Sequence, residues 1–252
     1  MSSALDNWSQ SIDEFSKHDK KAIKELFVML ALTDDFLNME TLISTREALD
    51  KQYIEDVIDE YEAMLEQKHE TQTLEKKWQK FLATHNWVFS YLFSFPVMLF
   101  QQEAFVGGKN LANKNGKVTD FLIQNSLSEN VAFLEIKTHR TTLVGSKKAY
   151  RGNDVYSMSK DVTGGIAQVL DQRDNFQKQF SLHLYNSSES FETLNSKCVV
   201  LMGMLADMSK AELKSFELFR SNCKDVELIT FDELLSRFKN LKTLIAKNSS
   251  DE

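Results

Sequence analysis

Proline and cysteine are scarce in this chain of 252 residues, and each scarcity excludes a class of protein. One proline and eight glycines exclude a collagen-like repeat and favour long regular elements over disorder. The two cysteines, Cys198 and Cys223, form neither a metal-binding spacing nor a disulfide framework, so we expect both to be structural thiols. What the chain does contain is 42% hydrophobic residues, including 18 phenylalanines, which is enough for a substantial core.

Two kinds of sequence signal are also missing: long apolar runs and glycine-rich phosphate-binding motifs. No run of about 18 apolar residues occurs, and the N-terminus lacks the charged and apolar regions of a signal peptide. We therefore expect a cytoplasmic protein without a membrane partner. The glycine doublet at 107–108 lacks the spacing of a dinucleotide or P-loop motif, which argues against a nucleotide cofactor.

Charge is distributed unevenly along the chain, whose net charge is −7. Residues 1–70 carry 17 acidic and 7 basic side chains, whereas residues 109–151 carry 8 basic and 3 acidic ones. The overall negative charge disfavours a general nucleic-acid-binding protein. The positive segment nevertheless predicts a local surface that attracts a polyanion within a Debye length.

The apolar pattern divides the chain into an N-terminal helical module and a mixed α/β domain. Residues 1–70 are predicted to form the module, because they contain no proline or glycine and their apolar residues recur at spacings of three and four. Its role is open between assembly and the regulation or binding of a partner. Residues 71–247 follow the order helix, strands, helix, strand, helix, strand, helix. This order predicts a central sheet flanked by helices, and residues 248–252 are left as a tail.

Several element boundaries are predicted within the α/β domain. The helix predicted over residues 164–180 is expected to be capped by Ser159 or Thr163. Strands are predicted over residues 197–204 and 226–231, since both segments have the composition of buried strands. The last helix is expected to begin at Asp232.

Residues 118–137 are predicted to form a β-hairpin that ends in a cluster of charges. Two apolar runs of strand length, VTDFLIQ and VAFLEIK, flank a polar turn at residues 125–130. Asp120 lies in the first strand, and Glu135 and Lys137 share one face of the second because side chains alternate along a strand. Carboxylates suit a hard divalent cation such as Mg²⁺, and an ammonium group can hold a scissile phosphate or the attacking water. An ion pair on an edge strand is the alternative interpretation.

A long, basic, glycine-containing loop is predicted after this hairpin, over residues 138–165. Loops longer than about 15 residues within a compact domain are usually functional or disordered. Lys147, Lys148 and Arg151 supply cations for phosphate groups, and Tyr150 supplies a ring on which a base can stack. These four are the candidate nucleic-acid-binding residues, with a mobile, solvated loop as the alternative.

A set of charged and amide residues follows a definite order along the domain: Glu75 on a helix, Asp120, the Glu135-Ile136-Lys137 strand, and Gln168 on the next helix. This order resembles the PD-(D/E)xK nuclease superfamily, which has a restriction-endonuclease-like fold. Four segments in sequence, LEKKWQKFL with the downstream NWVF, FLEIK, YRGNDVYSMSKDVTGGIAQ and VELITFDELL, resemble more narrowly the Shedu family of bacterial antiphage defence proteins. The resemblance covers about residues 71–240 and leaves the N-terminal module outside it.

The resemblance implies a metal site built from the hairpin and the helix before it. Asp120 and Glu135 would be metal-ligating carboxylates, and the backbone carbonyl of Ile136 would be a further oxygen ligand. Glu75 would reach the metal directly or through a water molecule. The implied cofactor is Mg²⁺, for which Mn²⁺ is expected to substitute.

The resemblance also implies roles for a lysine and a glutamine. Lys137 would orient or activate the attacking water and stabilise the charge that develops on phosphorus, and Gln168 would hold Lys137 or that water. Two positions depart from the superfamily pattern. Many members carry a tyrosine four residues after the glutamine, where this chain has Gln172, and Thr119 replaces the usual proline before the aspartate.

The function that the resemblance implies is a metal-dependent endonuclease that hydrolyses the phosphodiester bonds of double-stranded DNA in antiphage defence. The alternative is a catalytically silent protein that binds nucleic acid or a partner on a nuclease fold. Retention of both Asp120 and Lys137 favours the enzyme, because loss of either would favour the silent protein. A homo-oligomer is expected, since one active site cuts one strand at a time.

Overall fold

A computed structural model of the protein describes residues 39–68, 71–107, 116–152 and 154–248. Most of the predicted N-terminal module, residues 1–38, lies outside the described residues, and so does the end of the predicted tail. Contacts divide the chain into two units, of which one runs Asp56–Thr243 and the other comprises the residues before and after it. The sheet and the candidate site lie in the Asp56–Thr243 unit.

From residue 71 the order of elements agrees with the predicted one, except that a second helix, Phe180–Asn186, follows the helix Lys160–Lys178. The described helices are α1 (Met39–Leu65), α2 (Thr71–Thr84), α3 (Lys160–Lys178), α4 (Phe180–Asn186), α5 (Lys210–Arg220) and α6 (Phe231–Asn248), and short 3-10 helices cover Asn86–Tyr91 and Leu205–Asp207. The strands are β1 (Val97–Gly107), β2 (Lys117–Asn125), β3 (Val131–Ile136), β4 (Cys198–Leu201) and β5 (Val226–Ile229). No helix in this described part of the chain has the length and apolarity needed to cross a membrane.

The strands form one mixed sheet in the order β1-β2-β3-β4-β5. β1, β2 and β3 are antiparallel neighbours, whereas β3, β4 and β5 run parallel to one another. Each parallel neighbour is reached through helices, with α3 and α4 between β3 and β4, and α5 between β4 and β5. The pairing of β2 with β3 confirms the predicted hairpin.

Helices α3 and α5 cover the sheet face that carries Phe133. Val169 and Phe176 of α3 and Phe216 of α5 belong with Phe133 to one buried cluster. Burying each such side chain stabilises the fold by roughly 1.5–3 kcal/mol. Leu134 points to the opposite face, because side chains alternate along β3, and it is buried as well. The predicted mixed sheet flanked by helices is confirmed.

An aromatic cluster fixes helix α2 in place. Ring centroids lie 4.8 Å apart for Tyr61 of α1 and Trp78 of α2, and 4.5 Å apart for Trp78 and Phe231 of α6. The buried Tyr61 hydroxyl donates to the carbonyl of Phe231 at 2.9 Å, so its polar group is satisfied. Because α2 is held in this way, the polar side chains on its other edge have a defined position.

The strand predicted over residues 197–204 is shorter than expected, since β4 ends at Leu201. Gly203 adopts a φ of +62°, a left-handed conformation that glycine reaches without steric cost. Its N–H donates to the carbonyl of Thr138 at 2.9 Å instead of continuing the ladder with β5. The backbone therefore leaves the sheet at this point.

The strand predicted over residues 226–231 is also too long, because β5 ends at Ile229 and α6 begins at Phe231, one residue before the predicted start. Thr230 causes the change of structure. Its hydroxyl donates to Asp232 Oδ1 at 2.6 Å, and its N–H donates to Glu233 Oε2 at 3.0 Å. These bonds satisfy polar groups at the first turn of the helix.

The predicted loop over residues 138–165 ends earlier, because α3 begins at Lys160. Of the two candidate caps, Ser159 is the residue that caps α3. Its Oγ accepts a hydrogen bond from the N–H of Val162 at 3.1 Å. Thr163 lies in the first turn, where its hydroxyl donates to the carbonyl of Ser159 at 3.1 Å.

Arg220 joins the end of α5 to the beginning of α6. Its guanidinium donates to Glu233 at 2.7 and 2.8 Å and to Glu217 at 2.6 and 2.9 Å. The Arg220 side chain is 19% exposed and that of Glu233 is 27% exposed. Charge-assisted bonds with two oxygens of one carboxylate are stronger than neutral ones, so this network stabilises the packing of the two helices.

Arg220→Met is expected to lower the free energy of unfolding by about 2 kcal/mol at neutral pH, because partly buried carboxylates lose their charged donor. Burial alone would raise the pKa of Glu233, but hydrogen bonds from Arg220 and from the Thr230 N–H outweigh it, and the pKa is lowered. The stabilisation is therefore present above the ordinary carboxyl pKa and is lost as pH falls through the lowered value. Urea unfolding at several pH values measures both effects.

Lys178→Met is the matched control. It removes an exposed ion pair with Asp174 one helical turn away, and such pairs contribute only about 0.3–0.5 kcal/mol. A loss in Arg220→Met no larger than in this control, or one that persists in acid, would contradict the assigned role of Arg220.

Candidate active site

The ends of the two hairpin strands bring the predicted carboxylates together. The register pairs Phe121 of β2 with Leu134 of β3, which places Asp120 across from Glu135 at the end of the ladder. Neither carboxylate is fully exposed to solvent. Asp120 is partly buried, and Glu135 is only 2% exposed. A buried carboxylate is costly unless it is paired and hydrogen-bonded, so its partners define the site.

Glu135 is held by three side chains. Its Oε1 accepts from Lys137 Nζ at 2.8 Å and from Gln168 Nε2 at 2.6 Å, and its Oε2 accepts from Gln172 Nε2 at 2.9 Å. Lys137 Nζ also donates to Gln168 Oε1 at 3.0 Å. Glu135, Lys137, Gln168 and Gln172 therefore form one connected polar cluster, which we call the Glu135 cluster.

Lys137 keeps its charge in this setting. Its side chain is 21% exposed, and burial alone would lower the pKa of the ammonium group. The carboxylates of Glu135, Glu75 and Asp120 outweigh burial, and the pKa of Lys137 is raised. The structure thus brings the lysine and the three predicted carboxylates into one electrostatic group.

Asp120 is bound through both of its oxygens. Oδ2 accepts from the backbone N–H of Ile136 and Oδ1 accepts from Gln79 Nε2, each at 2.7 Å. Burial and the nearby Glu135 raise the pKa of Asp120 to about 7, although the Ile136 N–H and Lys137 act in the opposite direction. Burial, more than any neighbouring charge, thus disfavours the ionised form of Asp120.

Glu75 projects from α2 towards the same group. Burial raises the pKa of Glu75, Lys137 lowers it, and Glu135 and Asp161 raise it further, so the net direction is upward. Among the described residues Glu75 forms no hydrogen bond or ion pair. It therefore adds a half-buried carboxylate whose lone pairs are available to a ligand.

A glycine allows α3 to approach the sheet beside Lys137. A Cβ atom at Gly165 would lie 2.9 Å from Met202 Cε, 3.5 Å from Val200 Cγ1 and 3.9 Å from Lys137 Cε. A larger residue would require the flexible end of the Met202 side chain to move. The glycine thus leaves space for Met202 on the side of α3 from which Gln168 and Gln172, one and two turns further along, reach Glu135.

Gln172 answers a question that the sequence left open. It is 2% exposed, and its Nε2 donates to the carbonyl of Val118 at 2.9 Å as well as to Glu135. The two bonds tie α3 to both strands of the hairpin. Within the described structure, its Oε1 and the hydroxyl of Thr119 are buried without a hydrogen-bond partner.

Gln79 is a site residue that the sequence analysis did not assign. It follows Glu75 by one helical turn, and residues four apart share one edge of a helix. That spacing was the available signal. Its interpretation required the position of α2 relative to Asp120, which depends on long-range packing.

The predicted nucleic-acid-binding residues lie on a separate loop, residues 144–158, which we call the basic excursion. Val144 pairs with Met158 at its base, and Arg151 pairs with Val155 near its tip. It is anchored on α5, where Ser215 Oγ accepts from the N–H of Tyr156 at 3.0 Å. The candidates are exposed, and none of their described bonds is with the Glu135 cluster: Lys147, Lys148, Tyr150 and Arg151.

The donor chemistry of the site fits a hard divalent cation. Asp120, Glu135 and Glu75 offer only oxygen atoms, and burial, with a smaller contribution from Glu135, raises the pKa of Asp120. Within the described residues no three His, Cys, Asp or Glu side chains converge as a ready metal-binding group. Glu75, Asp120 and Glu135 therefore do not form such a group as they stand.

Comparison with known proteins identifies relatives of this chain. A family model described as Shedu protein SduA, C-terminal, matches residues 72–235, a range that includes the whole Glu135 cluster, Asp120 and Glu75. Shedu protein SduA of Bacillus cereus (strain B4264) is 39% identical over 181 residues, which cover 69% of this chain and 47% of that protein. The chain thus spans about half the length of this relative.

Gln172→Leu is expected to lower the free energy of unfolding by about 1–3 kcal/mol, because Glu135 Oε2 and the Val118 carbonyl lose a buried donor. Gln177→Leu is the control, since Gln177 is exposed on the same helix and the change in side-chain chemistry is the same. Urea unfolding compares the variants. If Gln172→Leu is neutral or stabilising, the amide is not needed to hold Glu135, and removal of its unpaired Oε1 dominates.

Proposed function

The chain belongs to the Shedu protein SduA family, and from this premise we propose that it is a metal-dependent DNA endonuclease that acts in bacterial antiphage defence. The observation that carries the proposal is the connection of Lys137, Gln168 and Glu135 by hydrogen bonds of 2.6–3.0 Å, with Asp120 across the ladder. Such a lysine between carboxylates is a group that can bind and polarise an anionic phosphate.

The chemistry of phosphodiester cleavage explains why this combination is required. The substrate is anionic and inert, so its charge must be neutralised and the attacking water activated. A divalent cation, Mg²⁺ or in its place Mn²⁺, supplies both effects when bound. Asp120 and Glu135 would hold it together with the carbonyl of Ile136, and Glu75 would reach it directly or through water.

Lys137 supplies the positive charge that belongs to the chain itself. An ammonium group has three donors, and two of them are directed at Glu135 and Gln168. The third is available to a phosphate oxygen or to the attacking water. Because Gln168 donates to Glu135 and accepts from Lys137, its amide holds both groups in one orientation.

The proposal includes the PD-(D/E)xK superfamily and its restriction-endonuclease-like fold. It is supported by the position of the carboxylates at the end of an antiparallel hairpin, followed by a helix that carries Gln168 and by a parallel strand. In this proposal the exposed excursion with Lys147, Lys148, Tyr150 and Arg151 binds double-stranded DNA. The enzyme works as a cytoplasmic homo-oligomer, because cutting both strands takes two sites.

A catalytically silent nucleic-acid- or partner-binding protein is the second candidate function. The observation in its favour is that both oxygens of Asp120 and both oxygens of Glu135 already accept hydrogen bonds from the protein. A cation therefore has to share these oxygens with amide and ammonium donors. The two candidates differ in whether DNA is cut when Mg²⁺ is supplied.

Wild-type protein is expected to cut linear or supercoiled DNA in Mg²⁺ or Mn²⁺ and to be inactive in EDTA. Glu135→Gln removes a metal-ligating charge, and Lys137→Met removes a contact made to the reacting phosphate. Each change is expected to lower kcat by about 100-fold or more. Gel analysis of the products measures the rates, and fluorescence anisotropy measures DNA binding, which both variants should retain.

Lys197→Met is the control, since Lys197 is a half-exposed lysine at the start of β4 that pairs with Glu227. It should cut at the wild-type rate. DNA binding without cutting by the wild type under every condition would support the silent protein. Equal loss of cutting in Lys197→Met and Lys137→Met would remove the special role of Lys137.

A further inference from the structure

A groove opens beside Asp120 between helix α2 and strand β1. It has a volume of about 530 Å³, which lies within the range of about 300–1,000 Å³ typical of ligand sites. α2 contributes Lys76, Gln79 and Lys80 to its wall, and β1 contributes Glu103. The groove is separate from the basic excursion anchored on α5.

Two lysines of the groove lie one helical turn apart and carry no counter-charge. Lys76 and Lys80 are exposed, and within the described chain neither forms an ion pair. Like charges at this spacing destabilise a helix by about 0.2–0.5 kcal/mol. Lys77 differs from them, because its Nζ donates to Gln67 Oε1 at 2.7 Å. The pair thus presents two free ammonium groups to a ligand in the groove.

The groove reaches the candidate active site at Asp120, which lies across the ladder from Glu135. Asp120 lines the groove, and Gln79, another lining residue, donates to Asp120 Oδ1 at 2.7 Å. A chain of phosphates bound by Lys80 and Lys76 would therefore lie in the groove that Asp120 lines. This continuity distinguishes the two lysines from an ordinary solvated helix face.

The backbone of β1 departs from regular strand geometry where it lines the groove. Gln102 pairs with Phe121 and Ala104 pairs with Thr119, which leaves Glu103 opposite Asp120 outside the described pairs. Glu103 has a φ of +44°, a left-handed conformation that is unusual for a residue with a side chain. Its carboxylate is the one group besides Asp120 in this lining that opposes an anion.

We propose that this groove binds the phosphate backbone of one nucleic-acid strand, through Lys76 and Lys80, and leads it to Asp120. The proposal rests on the nuclease function proposed for the same site and assigns a binding surface to it. Both lysines contact phosphates and not bases, so they contribute affinity without sequence preference. Glu103 opposes the same phosphates and weakens the attraction.

The test measures binding of a labelled mixed-sequence DNA duplex by fluorescence anisotropy in EDTA, over a series of salt concentrations. The Lys76→Gln, Lys80→Gln double variant should bind more weakly and reduce the slope of log affinity against log salt by about one for each lysine. Glu103→Gln should instead tighten binding. A general loss of structure cannot produce effects of opposite sign.

The control is the Lys178→Gln, Lys224→Gln double variant, which removes the same charge at two exposed lysines outside the groove and should leave the slope unchanged. Cleavage assays in Mg²⁺ add a second readout. The groove variant should raise KM and keep kcat near the wild-type value, because it loses uniform binding of substrate and transition state.

The outcomes separate this proposal from the nuclease function. If the wild type binds and cuts DNA while the groove variant keeps its salt slope, the groove proposal is wrong and the nuclease stands. An equal change in the control variant also overturns it, because the effect then follows net charge. If the wild type neither binds nor cuts DNA, both proposals fall.

Discussion

The burial of the Glu135 carboxylate beneath helix α3 is the constraint on which the rest of the site depends. Burying such a charge without partners costs several kcal/mol. The helix must therefore place hydrogen-bond donors opposite the carboxylate oxygens. Gln168 and Gln172 meet this requirement, and Gly165 leaves space for Met202 between the helix and the sheet. The parallel position of β4 beside β3 then follows, because α3 must cover that face of the hairpin before the chain returns to the sheet.

Asp120 has a different relation to the structure, because it lies between two elements that are far apart in the sequence. Ile136 of the neighbouring strand and Gln79 of α2 each bind one of its oxygens, so its position depends on the aromatic packing that fixes α2. Glu135 is buried on the sheet face that α3 covers, whereas Asp120 also borders the groove along α2. One carboxylate is therefore enclosed, whereas the other remains accessible from the groove.

The family resemblance is confirmed, and it named Gln168 but left Gln172 without a role. The sequence also allowed the sheet and the hairpin to be predicted. These predictions rest on local periodicity, such as the alternation of Glu135 and Lys137. One error arose where a long-range contact overrides local propensity: Gly203 leaves the sheet because its N–H binds the carbonyl of Thr138. Gln79 was missed for a related reason, since its role depends on where α2 packs. The sequence left the basic excursion open between a functional and a mobile loop. Its contact with Ser215 could not be predicted, because it involves a helix about 60 residues away.

The glutamine at position 172 shows how a departure from the expected tyrosine can be accommodated. A tyrosine hydroxyl has one hydrogen to donate, whereas the Gln172 amide nitrogen has two, and both are used. One holds Glu135 Oε2 and the other holds the carbonyl of Val118, which precedes Thr119 and Asp120 in β2. The same side chain thus links the helix, the buried carboxylate and the strand that carries the second carboxylate. Because the strand and helix are joined at this point, a shift of α3 would move Glu135 relative to Asp120, and the spacing of the two carboxylates is a property of the whole cluster.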